Sequence, residues 1–279
     1  MKKIICSTDY SPNSVSALKY AYALSRLIKA DLILLHVYPP SEVRGGVTSH
    51  GKKEALNIHH KKLKTFCEKH LEKDFDSLNI SLAVVPGPNV PHSILDFIRD
   101  LDVYMLVMGA CGTGTLKELI MGSTTKEMLS ISPFPVLAVP AEFSFKSLDK
   151  VVYTTMFEEE DLNNIAELVK ITKPFKMKLY VIHVTNKDEL LTRNEMEEFK
   201  ARISKRIHYD NIQFEIVFSD DVFETLKSTI EEIHPDMVVM LERRNRTELS
   251  NILHRDKVKR MQSCTKIPLL SYTASHLNE

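Results

Sequence analysis

Short apolar runs alternate along this chain with longer stretches in which apolar residues return every three or four positions. Ile4-Ile5, Leu32–Val37, Ile80–Val85, Tyr104–Met108 and Val136–Val139 read as buried strands of a parallel sheet, because such strands are apolar on both faces. Between them lie helical patterns. Ser11-Pro12 reads as an N-cap followed by proline at the first helical position. Val15, Leu18, Ala21, Tyr22, Leu24, Leu27 and Ile28 then follow at helical spacing up to Ala30. Further helices are predicted over 59–71, 92–99 and from Ser123 to Ser130. Residues 40–55, punctuated by Pro40, Gly45, Gly46 and Gly51, are predicted to form a loop, a lid over a site being the lesser reading.

The pattern then repeats. Lys3–Tyr10 is matched by Lys150–Phe157, and Asp31–Val37 by Lys178–Val184. Val103–Met108 is matched by Asp236–Met240, and Pro135–Val139 by Pro268–Tyr272. Four matched segments in one order indicate two copies, 1–143 and 148–279. Strands alternating with helices imply βαβ units with right-handed crossovers. The expected fold class is therefore α/β, with two tandem doubly wound parallel-sheet domains of five strands each.

Composition narrows the function. Of 279 residues, 43% are hydrophobic and 27% charged, which suits a globular chain with a real core. Basic and acidic residues number 37 each, so no net field favours nucleic acid. Ile4-Ile5-Cys6 is too short for a signal core, and no run approaches the roughly 18 residues of a spanning helix. A cytoplasmic protein with no membrane or nucleic-acid partner is expected. The cysteines Cys6, Cys67, Cys111 and Cys264 form no C-x-x-C pair and are expected as free thiols, Cys111 being the one inside a candidate loop.

Four of the eight glycines fall between 109 and 122. They follow a strong strand, where open parallel sheets bind ligands. Gly109, Gly112 and Gly114 are expected to allow positive φ and close backbone approach. Gly122-Ser123 opens a helix whose free N–H groups and dipole favour an anion, with the Ser123 and Thr125 hydroxyls adding hydrogen bonds. The bland readings are a turn role for Asp9, a structural role in the sheet for His36 and His183, and an exposed position among lysines for His59 and His60. The Lys-rich face of 61–73 is expected to be solvated, with Glu68, Glu72 and Asp74 giving i,i+4 support.

Gly109-x2-Gly112-x9-Gly122-Ser123 resembles the G-x2-G-x9-G-[ST] signature of nucleotide-binding universal stress proteins. Ser7-Thr8-Asp9, His36-Val37 and Pro135–Val139 add to the likeness. The resemblance implies an adenine nucleotide α-hydrolase-like fold and a site for ATP, ADP or AMP. It places Ser7 and Asp9 at the base and ribose, Val37 at the adenine edge, and Met108 and Gly109 beneath the ribose and first phosphate. Gly112, Gly122, Ser123 and Thr124 form the phosphate cradle. Mg²⁺ would accompany a triphosphate, held mainly by phosphate oxygens and water. The reading is a stress-response or regulatory module without efficient catalysis, since no general base stands beside the phosphate loop and no metal ligands are assigned. The alternatives are a slow ATPase and a nucleotide-free interaction scaffold. An enzyme of the α-hydrolase class would need an S-G-G-x-D-S loop, which Ser7–Ser11 does not supply.

The second copy is expected to be degenerate. Met156 stands opposite Asp9, and Leu241 opposite Gly109. Arg244 or Asn245 falls opposite Gly112, and Arg255 and Asp256 opposite Gly122 and Ser123, so that Asp256 would repel a phosphate. Single-domain members of the family pair through their last strands. Val136–Val139 is expected to lie antiparallel to Leu269–Tyr272 as an intramolecular pseudo-dimer, with a further homodimer open.

Overall fold

A computed structural model describes residues 2–40, 49–110, 122–141, 143–242, 261 and 266–273. The chain divides into two compact units, Met1–Phe145 and Lys146–Glu279.

In the first unit, β1 (Lys3–Ser7), β2 (Asp31–Tyr38), β3 (Ile80–Pro86), β4 (Val103–Ala110) and β5 (Val136–Pro140) alternate with four helices. These are α1 (Pro12–Ile28), α2 (Ser49–Leu71), α3 (Val90–Ile98) and α4 (Ser123–Ile131). All neighbouring strands are parallel, in the order β3-β2-β1-β4-β5. The order reverses at β1 and β4, so their carboxyl ends diverge and leave a crevice between them. Helices α1 and α2 pack together on one face, and α3 and α4 on the other. The second face is sealed by Ile5, Leu35, Leu106, Ile94, Ile98 and Met128.

The second unit repeats this plan. Its strands are β6 (Lys150–Thr154), β7 (Lys178–Thr185), β8 (Ile212–Phe218), β9 (Met237–Glu242) and β10 (Leu269–Thr273). Its helices are α5 (Glu159–Thr172), α6 (Glu189–Arg206) and α7 (Val222–Ile233). The order is β8-β7-β6-β9-β10, again all parallel. Register fixes the equivalences: Ile4 pairs with Met105 as Val151 pairs with Met237. Leu241 therefore occupies the place of Gly109.

Local expectations meet the structure unevenly. Ser11 caps α1 by accepting from the Ser14 N–H, with Pro12 in the first turn. Asn89 caps α3 in the same way, so that helix starts two residues earlier than its periodicity suggests. The larger difference is α2. It begins at Ser49, inside the expected loop, and carries Gly51. Its buried stripe is Ala55, His59, Leu63, Phe66 and Cys67. His59 is therefore not an exposed residue among lysines. It stacks on Tyr38 with ring centroids 4.3 Å apart. On the polar side Lys64 pairs with Glu68 and Asp76. Cys6 and Cys67 are buried free thiols, and burial pushes the Cys67 thiol up to about 12. Cys111 and Cys264 lie outside the described residues.

Candidate functional site

The site grows from the link between β1 and α1. After Ser7 the strand continues one step further, with Thr8 N–H donating to the Leu35 carbonyl at 2.9 Å. The His36 ring then fixes the next carbonyl, with Nδ1 2.8 Å from the Thr8 oxygen. The imidazole is thus structural, as expected, and its bond clamps the loop that follows the strand. Tyr10 turns the chain with φ 65°, and its N–H donates to Thr8 Oγ1. Its ring packs against His36 at 4.4 Å. A left-handed tyrosine is costly and persists only because these contacts hold it.

This turn presents Asp9. Its Oδ1 accepts from the Ser11 N–H at 3.0 Å and from Ser14 Oγ–H at 2.5 Å. Partial withdrawal from water favours the neutral acid, but the hydrogen bonds from Ser11 and Ser14 outweigh it and hold the carboxyl below its ordinary range. Asp9 is thus an ionised acceptor.

The start of α4 lines the same cavity as Asp9. Gly122 is its N-cap, with no side-chain capping bond and no acidic residue in the first turn. The helix end is tied to β4 by Thr125 Oγ1–H, which donates to the Gly109 carbonyl at 2.9 Å. Open N–H groups and the dipole at such a helix start favour an anion. Ser7, Asp9, Val37, Met108, Gly109, Gly122, Ser123 and Thr124 all line one cavity of about 220 Å³. Gly112, the remaining expected site residue, lies outside the described residues. Pockets for drug-sized ligands span roughly 300–1,000 Å³, so the described walls enclose part of such a site. The same cavity is lined by Thr8, Ser11, Asn13, Ser14, Val90 and Thr125. Of these, Asn13 and Val90 carried no sequence signal of their own, and Ser14 was not among the expected site residues. Ser14 had a signal available, standing three residues after an N-cap serine and five after the aspartate.

One expectation is corrected. Gly109 is not in the left-handed region, and its bareness serves packing. A Cβ there would lie 2.6 Å from the Asn13 carbonyl carbon and 2.7 Å from its oxygen. The glycine lets the first turn of α1 touch β4.

A sequence model of the universal stress protein family matches residues 1–140, half of the chain. The chain belongs to the universal stress protein family. A universal stress protein of Methanocaldococcus jannaschii is 30% identical over 152 residues, covering 50% of this chain and 94% of that protein. One of Bacillus subtilis is 29% identical over 152 residues, covering 49% and 97%. A solved universal stress protein of Archaeoglobus fulgidus spans 97% of this chain and 98% of its own, with TM-score 0.74 and 15% identity. That likeness speaks for the fold across both units. Among the described residues no helix is long and apolar enough to cross a membrane.

The second unit keeps the first unit's loop geometry and changes its chemistry. Thr155 N–H donates to Ile182, and His183 Nδ1 lies 2.7 Å from the Thr155 oxygen. Phe157 repeats the left-handed turn at φ 64°, with its ring 4.4 Å from His183. Met156 replaces Asp9. In the place of Ser14 stands Asp161, fully buried. Its Oδ2 accepts from Thr155 Oγ1, Met156 N and Glu158 N, and its Oδ1 from Tyr153 OH at 2.8 Å. The loop is thereby satisfied from within. The positions expected to oppose Gly112, Gly122 and Ser123 lie outside the described residues; among the described ones, Met156, Asp161 and Leu241 depart from the first unit's chemistry.

Burial lowers the His183 pKa from the ordinary 6.5, against the raising effect of its bond to Thr155. The unfolded state then takes up a proton first as the pH falls. His183 contributes stability above about pH 6.5 that is lost as the pH drops through its folded-state value. The urea midpoint of the second unit should fall between pH 7.5 and 5.5. It should fall less in His183→Asn, which is neutral at both. Equal pH dependence in the two proteins would remove His183 from the cause.

Proposed function

We propose that the first unit binds an adenine nucleotide, ATP or its shorter forms, and that the chain works as a stress-response or regulatory module without efficient catalysis. The observation that carries this reading is the cavity's polarity. An uncapped helix start that favours phosphate and a carboxylate that only accepts hydrogen bonds line the same cavity. A nucleotide offers both, phosphates at one end and hydroxyl or amine donors at the other. Family membership and the Gly109-x2-Gly112-x9-Gly122-Ser123 spacing support the adenine assignment.

Among the described residues no group of three or more His, Cys, Asp or Glu could hold a metal ion. Mg²⁺ accompanying a triphosphate would be carried by phosphate oxygens and water. Asp9, held below the ordinary carboxylate range, is a poor proton acceptor near neutral pH. That supports binding over turnover, and a single-turnover assay with ATP tests it. The second unit suits a scaffold role, because Asp161 satisfies the loop without a ligand.

Titration of ATP into the intact chain and into Gly122→Val tests the assignment. The valine should raise Kd about tenfold or more, equivalent to roughly 1.4 kcal/mol. Equal affinity in both proteins would remove the phosphate end from α4. Mass spectrometry of ligand released from purified protein separates a nucleotide binder from a nucleotide-free scaffold.

A further inference from the structure

The two units differ in a reciprocal way at one pair of positions. In the first, position 9 is a carboxylate and position 14 a serine. In the second, the matching residues are Met156 and Asp161. Both Ser14 and Asp161 do one common job, accepting the backbone N–H two residues past the strand. Asp9 N–H reaches Ser14 Oγ at 3.2 Å, and Met156 N–H reaches Asp161 Oδ2 at 2.9 Å. A serine hydroxyl can also donate, whereas an ionised aspartate only accepts. Ser14 spends that donor on Asp9 Oδ1 at 2.5 Å.

We infer that Ser14 is a positioning residue for the proposed nucleotide site: it pins Asp9 in one rotamer with Oδ1 saturated, so that Oδ2 is the atom left for a ligand. The inference rests on the nucleotide reading of the cavity. Ser14 is 4% exposed, so its hydroxyl has little water to turn to. Asp9 Oδ1 takes both the Ser14 hydroxyl, at 2.5 Å, and the Ser11 N–H, at 3.0 Å, which leaves Oδ2 the less committed oxygen. Without Ser14 the carboxylate is free to rotate, and a ligand must pay the cost of ordering it. The geometry also fixes what the ligand offers there, a hydroxyl or amine donor. A second anion at that end is disfavoured.

A double-mutant cycle on the full chain tests the inference, with ATP as probe. Ser14→Ala should raise Kd about fivefold, the scale of one hydrogen bond. Ser14→Thr, which keeps the hydroxyl, should restore most of the affinity. In an Asp9→Asn background Ser14→Ala should change Kd less than about twofold, because its effect passes through Asp9. A full fivefold loss in that background would show a merely structural serine and overturn the inference. The Asp9 carboxyl titration, followed by NMR without nucleotide, should move upward in Ser14→Ala. If the parent chain binds no ATP, the nucleotide reading fails. The positioning role then stands if that titration moves and falls if it does not.

Discussion

Replacing Asp161 with alanine should destabilise the second unit by about 3–5 kcal/mol, because several buried donors lose their acceptor together at about 1–3 kcal/mol each. Four donors lose their acceptor at once: Tyr153 OH, Thr155 Oγ1 and the N–H groups of Met156 and Glu158. The residue is fully buried, so water does not replace the carboxylate cheaply. Asn at 161 keeps one acceptor oxygen and should cost less. The double change Asp161→Ser with Met156→Asp rebuilds the first unit's pair and should recover part of the loss. The chain has no tryptophan, so circular dichroism in urea combined with residue-resolved hydrogen exchange is the suitable measurement. The amides of 155–158 should exchange much faster in Asp161→Ala. Unchanged protection there would show that the network is not what closes the loop.

Gly109→Ala should produce the largest effect in the first unit. The added methyl would meet the backbone of Asn13 at 2.6 Å, and backbone cannot rotate aside as a side-chain tip can. Overpacking of this kind costs about 1–3 kcal/mol. It also pushes the start of α1 from β4, and the α1 cap Ser11 and its first-turn Ser14 hold Asp9. ATP affinity should therefore fall beyond detection in an ordinary titration. Exchange should accelerate across 9–16. If Gly109→Ala binds ATP as the parent does, the contact between α1 and β4 is not what shapes the site.

The parts of this fold that follow from local pattern were readable in the sequence. The strand runs are apolar because both faces are covered. Ser11-Pro12 declares a helix start because its chemistry is local. The first turns of α2 were hidden by Gly45, Gly46 and Gly51, which read as a loop. Counting back from Leu63 in steps of four finds His59 and Ala55 on one stripe, and that stripe is the buried one. The site residues were legible where a spacing carries chemistry, as with Gly122-Ser123. They were illegible where the reason lies across space. No pattern in the sequence shows that Gly109 is bare for the sake of Asn13. Aligning Met156 with Asp9 did not reveal Asp161, because the substitution that matters sits five residues further on, in a helix.

The histidine clamp has a consequence for how such a protein changes over generations. His36 and His183 hold the same turn, with a left-handed aromatic residue, in one unit bearing Asp9 and in another bearing Met156. The backbone shape does not depend on ligand chemistry. After a gene doubles, the two copies can carry different side chains at positions 9 and 156 on one and the same turn. The clamp separates the shape of the loop from the chemistry it presents, and so leaves a sound frame on which different chemistries can be built.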